Sequence, residues 1–271
     1  MIKRVLLAFY RFLQRFRAIV VWRFETKRER KKILHNSIIK ELPPGKSLVL
    51  IPHSDDEWIG CSQVLIRFSQ VLLCNMNMLG GDTDNLHQER LEEMKQIARI
   101  TNHNLVTLSE SYTLESIIEN YKPDYIFIPN MIDWHPEHLA VVERLIKTNI
   151  VTSEISPKII CYQVSVPLFS KAITHYLEMN KHAWKGKWKT FRDVYETQKF
   201  LFYERFALNE RINGALINDY ACEVFVMFEN MKLFKDAHLR YKLTEDEQLS
   251  LKQNLASITG VRNFVNRLFC Q

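Results

Sequence analysis

The sequence predicts an α/β fold, a mostly parallel sheet with helices on both faces, and three observations carry that prediction. From residue 47 onward, short apolar runs alternate with segments of helical spacing. The runs are continuously apolar, as strands buried on both faces are. Two clusters of His and Asp directly follow two of the runs, where open α/β sheets bind their ligands. The 271 residues, 46% hydrophobic and 25% charged, suit one domain with a substantial core. Seven Gly and eight Pro leave little room for linkers, and no repeat of solenoid or propeller period is present.

Residues 1–24 (MIKRVLLAFYRFLQRFRAIVVWRF) read as a basic amphipathic helix. Lys3, Arg4, Arg11, Gln14 and Arg15 cluster on one side; Leu6, Phe9, Phe12, Leu13, Phe16, Ile19 and Val20 take most of the rest. The pattern suits a helix lying in a membrane interface, and equally one packed on the body or on a second subunit. It is too charged to span a bilayer, and Arg11, Arg15 and Arg17 argue against a signal peptide. Residues 25–34 read as a solvated continuation or linker, and Pro43-Pro44-Gly45 break the chain before the body.

The formal charge is +6, and its excess sits at this end. Residues 1–32 hold eleven Lys or Arg against two Glu, leaving 26 basic and 29 acidic residues elsewhere. A basic end on a near-neutral body argues against a nucleic-acid-binding core and for a terminus that meets something anionic.

In the body, Ser47–Pro52 is the first expected strand, Trp58–Phe68 a helix, and Val71–Met76 the second strand. Glu89–Thr101 has helical spacing, Leu105–Leu108 is a third strand, and Leu114–Tyr121 a short helix. Tyr125–Pro129 is a fourth strand, Glu137–Lys147 a helix, and Lys158–Val164 a fifth strand, giving a Rossmann-like three-layer sandwich. After Val166 the chain is aromatic and basic, with His175, Tyr176, His182, Trp184, Trp188, Phe191 and Tyr195, and reads as a helical stretch used in core or interface. A sugar-stacking lid is the sharper alternative. From Lys242 onward one or two surface helices are expected, a surface for oligomerisation. The organisation is thus an extension over 1–42, a body over 43–240 and a helical tail over 241–271. Cys61, Cys74, Cys161, Cys222 and Cys270 form no CxxC pair and read as free thiols of a reducing, cytoplasmic compartment.

Pro52-His53-Ser54-Asp55-Asp56-Glu57 follows the first strand, and Asp133-Trp134-His135-Pro136-Glu137-His138 the fourth. His and carboxylate groups from separate loops make a mixed nitrogen and oxygen set suited to Zn²⁺ with one open position. A carboxylate that is not a ligand can then act as general base. Taken singly, each cluster is also what a turn with an N-capping carboxylate looks like.

PHSDDE resembles the AHPDDE signature of the PIG-L/LmbE deacetylases, and DWHPEH resembles that family's D-x-H-x-D-H element. Met78-Leu79-Gly80-Gly81, Arg90-Leu91-Glu92-Glu93, Tyr195-Glu196-Thr197-Gln198 and Ala221-Cys222-Glu223-Val224-Phe225 resemble its further elements in the family's order. The resemblance implies that His53, Asp56 and His138 bind one divalent metal, Zn²⁺ or Fe²⁺. It implies Asp55 as general base and His135 as the group that stabilises the tetrahedral intermediate and protonates the departing amine. Asp133 would orient a histidine, and Arg90 would contact substrate hydroxyls or a phosphate. Ser54 stands where the family has Pro, Glu137 where it commonly has Asp, and Cys222 interrupts the last element; no ligand is lost.

The activity so implied is removal of the N-acetyl group from an N-acetylglucosamine-type conjugate. The basic start tilts the expectation toward a lipid-linked or surface-polysaccharide sugar at the inner face of a membrane. A metal phosphoesterase would usually need a second metal and more ligands. A non-catalytic relative that binds glycan or membrane is the other rival, and the intact Asp55 argues against it.

Overall fold

The computed structural model describes residues 2–33, 35–78, 83–148 and 156–269, with the helical backbone alone for 2–12. Its strands are β1 (Lys40–Glu41), β2 (Ser47–Ile51), β3 (Val71–Asn75), β4 (Asn104–Thr107), β5 (Tyr125–Pro129), β6 (Lys158–Tyr162), β7 (His175–Met179) and β8 (Ala221–Phe228). The helices are α1 (Ile2–Lys32), α2 (Asp56–Arg67), α3 (Asp84–Thr101), α4 (Leu114–Tyr121), α5 (Pro136–Lys147), α6 (Lys181–Val194), α7 (Glu204–Asn213), α8 (Met231–Tyr241), α9 (Glu245–Asn254) and α10 (Ile258–Leu268). One sheet holds all eight strands in the order β1-β7-β8-β6-β5-β2-β3-β4, parallel except where β8 runs antiparallel to β6 and β7. The fold class is the α/β sandwich that the alternating pattern predicts, and the five expected strands and four expected body helices are all present.

The two faces follow from the alternation of side chains along a strand. Leu48 and Leu50 of β2 join Ile126 and Ile128 of β5 in a core covered by α4, α5, α8, α9 and α10. Val49 and Ile51 join Phe127 in the opposite core, under α2, α3, α6 and α7. Each fully buried Leu, Ile or Val contributes about 1.5–3 kcal/mol relative to exposure. Gly60 lets α2 press against β6, because a Cβ there would overlap the Tyr162 ring. Between β2 and β5 the strand order reverses: β2, β3 and β4 progress to one side, β5 and β6 to the other. A crevice opens beyond the strand ends at such a switch point.

Three expectations are corrected, and the core reading of the aromatic stretch holds. His175 and Tyr176 lie on strand β7 rather than in a helix, and the antiparallel partner β8 completes that half of the sheet. Trp188, Phe191 and Tyr195 are core residues, which favours packing over a lid. The N-terminal helix does continue through Lys32, but it is not solvated, since Thr26 and Glu29 are buried and α1 docks on α7 and α10. Its Trp22 sits in an apolar cluster with Ile212 and Ile258 and donates to the Ala256 carbonyl at 2.8 Å. The C-terminal helices are likewise part of the body, with Leu251, Ile258, Val261 and Val265 buried. The outward face of α1 keeps Phe16 and Phe24 exposed. Among the described residues no helix is long and apolar enough to cross a membrane. Cys61, Cys74, Cys161 and Cys222 are free and buried; Cys270 lies outside the described residues.

Candidate metal centre

The first cluster leaves β2 and turns into α2 within a few residues, and Asp55 takes the strain of that turn with φ 131°. A non-glycine residue in such a region costs about 1–3 kcal/mol and persists only where its surroundings hold it. Asp55 occupies the N-cap position of α2, yet its side chain makes no capping hydrogen bond. The capping explanation of this carboxylate therefore fails. The second cluster follows β5, where Pro136 opens α5 and places His138 in its first turn.

Across the switch point the two loops bring three donor atoms together. His53 Nδ1 lies 3.1 Å from Asp56 Oδ2 and 3.2 Å from His138 Nε2, and the last two atoms are 3.2 Å apart. Three ligands on a tetrahedral cation at about 2.0–2.1 Å would lie about 3.3 Å from one another. Each histidine is also held from behind. His138 Nδ1 donates to Asp133 Oδ2 at 2.9 Å, and His53 Nε2 is in close contact with Glu137 Oε2. A carboxylate on the outer nitrogen fixes the tautomer and turns the other nitrogen, Nε2 in His138 and Nδ1 in His53, toward the centre. His53, His135 and His138 form a group whose ligand atoms lie within 4.8 Å of one another, with His138 buried and the other two half-buried, and this group can hold a metal ion.

Asp133 does more than orient His138. Its Oδ1 accepts the amides of Trp134 and His135 at 2.7 and 3.0 Å, and both oxygens accept from Ser165 Oγ at 2.8 Å. Burial pushes the Asp133 pKa up, but His138 and these donors outweigh it and hold the carboxyl below its usual range. Burial likewise opposes charge on Asp56, and His138 and His53 reverse the effect, keeping it well below the carboxylate range. At Asp55 burial prevails, reinforced by Asp56 and Glu57, so its pKa lies well above the usual value despite Arg90. Arg90, half-buried on α3, thus acts on the centre through its charge. His135 stands beside the triangle, 4.5 Å from His53 and 4.9 Å from His138 between ring centroids. Its buried Nδ1 has no hydrogen-bond partner among the described residues, and burial lowers its pKa.

The supporting elements named from the sequence meet here too. Glu57 accepts the Asp55 amide at 3.1 Å and the Tyr195 hydroxyl at 2.8 Å. Glu93 accepts from Ser54 Oγ at 3.0 Å and from the amide and hydroxyl of Thr197, both at 2.7 Å. Glu223 accepts from Ser62 Oγ at 2.6 Å and the Gln63 amide at 3.0 Å, bracing α2 from β8. Of the Met78-Leu79-Gly80-Gly81 loop, residues 79–81 lie outside the described residues. Sequence reasoning missed Glu137 as the partner of His53, although it directly precedes His138; it also missed Ser165, for which no local pattern gave a signal.

The fold is similar to that of the conserved protein TT1542 from Thermus thermophilus, with TM-score 0.50 and 17% identity over 67% of this chain and 94% of that one. A likeness at that identity concerns the fold. No family model matches the sequence, and no curated protein matches it.

Proposed function

We propose that the chain is a metal-dependent N-deacetylase acting on an N-acetylglucosamine-type conjugate, in the manner of the PIG-L/LmbE family its motifs resemble. The observation that carries the reading is the convergence of His53 Nδ1, Asp56 Oδ2 and His138 Nε2 beside an Asp55 that caps nothing. The donor set fits a small divalent cation, Zn²⁺ or Fe²⁺, in chemistry and in spacing.

His53, Asp56 and His138 would hold that cation, and His135 stands beside them. A cation so bound acidifies water and polarises the acetyl carbonyl. Asp55, set next to the ligands by the turn, takes the proton of the attacking water as general base. His135, whose buried Nδ1 has no hydrogen-bond partner among the described residues, stabilises the charge that develops on the carbonyl oxygen and passes the proton collected by Asp55 to the departing amine. The C–N bond breaks, acetate forms, and the amino sugar leaves. Arg90 contributes positive charge at the mouth, suited to substrate hydroxyls or a phosphate.

The test is free-amine release from a panel of N-acetylglucosamine conjugates, one of them lipid-linked, by metal-reconstituted wild type and Asp55→Ala. Turnover lost by about 10²-fold or more in the variant supports the reading. No turnover anywhere, with metal bound one to one, counts against it and favours a binding module.

A further inference from the structure

We propose that the groove between α1, α6 and α7 binds a ligand bearing two or more phosphate groups. The groove has a volume of about 860 Å³ and includes Trp184, Tyr203 and Tyr220 in its lining. It is distinct from the metal centre. None of its lining residues belongs to that centre, and α6 is tied to α2 by Trp58 Nε1 donating to the Lys187 carbonyl at 2.9 Å. The inference does not depend on the deacetylase reading.

Two facing helices line the groove with cations in the same register. α1 contributes Arg23, Lys27 and Arg30; α6 contributes Lys185, Lys189 and Arg192, again spaced by four and three. These spacings put each set on one helical stripe of about 10 Å. Arg211 of α7 adds a seventh cation. The single carboxylate of the lining, Glu204, is taken by Arg15 at 2.7 Å. Lys189 pairs with Asp193, but the other six cations form no ion pair among the described residues. Like charges concentrated this way destabilise a fold unless an anion balances them.

The guanidiniums are also held in place. The Tyr220 carbonyl accepts from Arg211 Nε at 3.0 Å and from Arg30 Nη1 at 3.3 Å, and Arg30 Nη2 donates to the Asp219 carbonyl at 3.3 Å, so Arg30 adds charge while Arg211 and Arg192 supply the forks. Arg211 lies 3.7 Å over the Tyr220 ring, and Arg192 donates to the Tyr203 hydroxyl at 2.9 Å. Pre-positioned arginine forks match phosphate oxygens and lose little freedom on binding. A single phosphate brings a charge of about −1.5 to −2, too little for this lining. The stripes call for a diphosphate or a row of phosphates, either free in solution or displayed as lipid headgroups.

The experiment uses the full chain, inorganic pyrophosphate as soluble probe, and vesicles of phosphatidylcholine with or without one-fifth phosphatidylglycerol. Binding of pyrophosphate is read by calorimetry and by Trp184 and Trp188 fluorescence, and that of vesicles by co-sedimentation, at constant ionic strength. The K185E/R192E double variant changes exposed residues only; K232E/K235E on α8 makes the same net charge change elsewhere. The expected result is binding by wild type and K232E/K235E, reduced at least tenfold in K185E/R192E. That variant should also melt above wild type in buffer free of polyanion. Pyrophosphate bound without vesicles assigns a soluble ligand, and anionic vesicles alone assign headgroups. Binding of neither probe, or equal loss in both double variants, overturns the proposal.

Discussion

The Asp55 amide donates to Glu57 Oε2, so a carboxylate two residues further on pins the one strained residue of the metal-centre turn. The strain is separable from the chemistry. Asp55→Gly relaxes the backbone at φ 131°, whereas Asp55→Ala keeps the strain while removing the same carboxylate. The glycine variant is expected to unfold at higher denaturant, by about 1 kcal/mol or more over alanine. Urea titration of the pair checks this, and equal midpoints would remove the strain argument.

The carboxylates behind the histidines should govern metal affinity. Asp133→Asn and Glu137→Gln are each expected to weaken zinc binding about 10–100-fold, measured by competition with a chromogenic chelator. Asp133 carries further hydrogen bonds, so its variant should also lose stability, and Glu137→Gln, half-exposed, should not. Unchanged affinity in both would mean that neither histidine is a ligand.

Lys187 is fully buried between Glu210 and Glu223, with its Nζ 2.6 Å from Glu223 Oε1. Lys187→Met leaves two buried carboxylates without a cation and should cost about 3–5 kcal/mol in chemical unfolding. Replacing Glu223 by Gln in the same chain should recover part of the loss. A loss below about 1 kcal/mol would show that water reaches the cluster.

Burial pushes the Cys74 and Cys161 thiols up to about 12, and Cys61 and Cys222 well above their usual value. In native protein at pH 8 none of these four should react with a disulfide reagent on the minute scale, and all should react once denaturant is added. Labelling of any of them in the folded chain, located by mass spectrometry, would contradict the packing described.

Trp22 is the anchor of α1. Trp22→Ala is expected to cost about 3–5 kcal/mol, where a helix attached loosely to the body would show almost none. Thermal and urea unfolding of the variant decide between them.

How legible all this was depends on distance along the chain. Runs such as Ser47–Ile51 and Tyr125–Pro129 announce buried parallel strands because they are almost wholly apolar. β7 escapes the same reading: HYLEM mixes helix formers with a charge, and its place is fixed by pairing with β8 more than forty residues later. The two loops of the candidate metal centre could be read because their donors sit side by side in sequence. The contact of His53 with Glu137, and the bridge of Glu93 from Ser54 to Thr197, arise only when separate elements fold together. For α1 the pattern is the same whether the apolar stripe meets lipid or protein, and only the docked structure shows Trp22 turned inward.

That docking sets a schedule for the ribosome. Trp22 and its acceptor Ala256 are 234 positions apart, which at about 5–20 residues per second is on the order of 10–50 s of synthesis. Until α7 follows with Ile212 the hydrophobic stripe of this basic helix has nothing native to cover it, and its cluster closes only when Ile258 is made. The nascent chain is therefore a client for whatever shields such stripes until its last helices emerge.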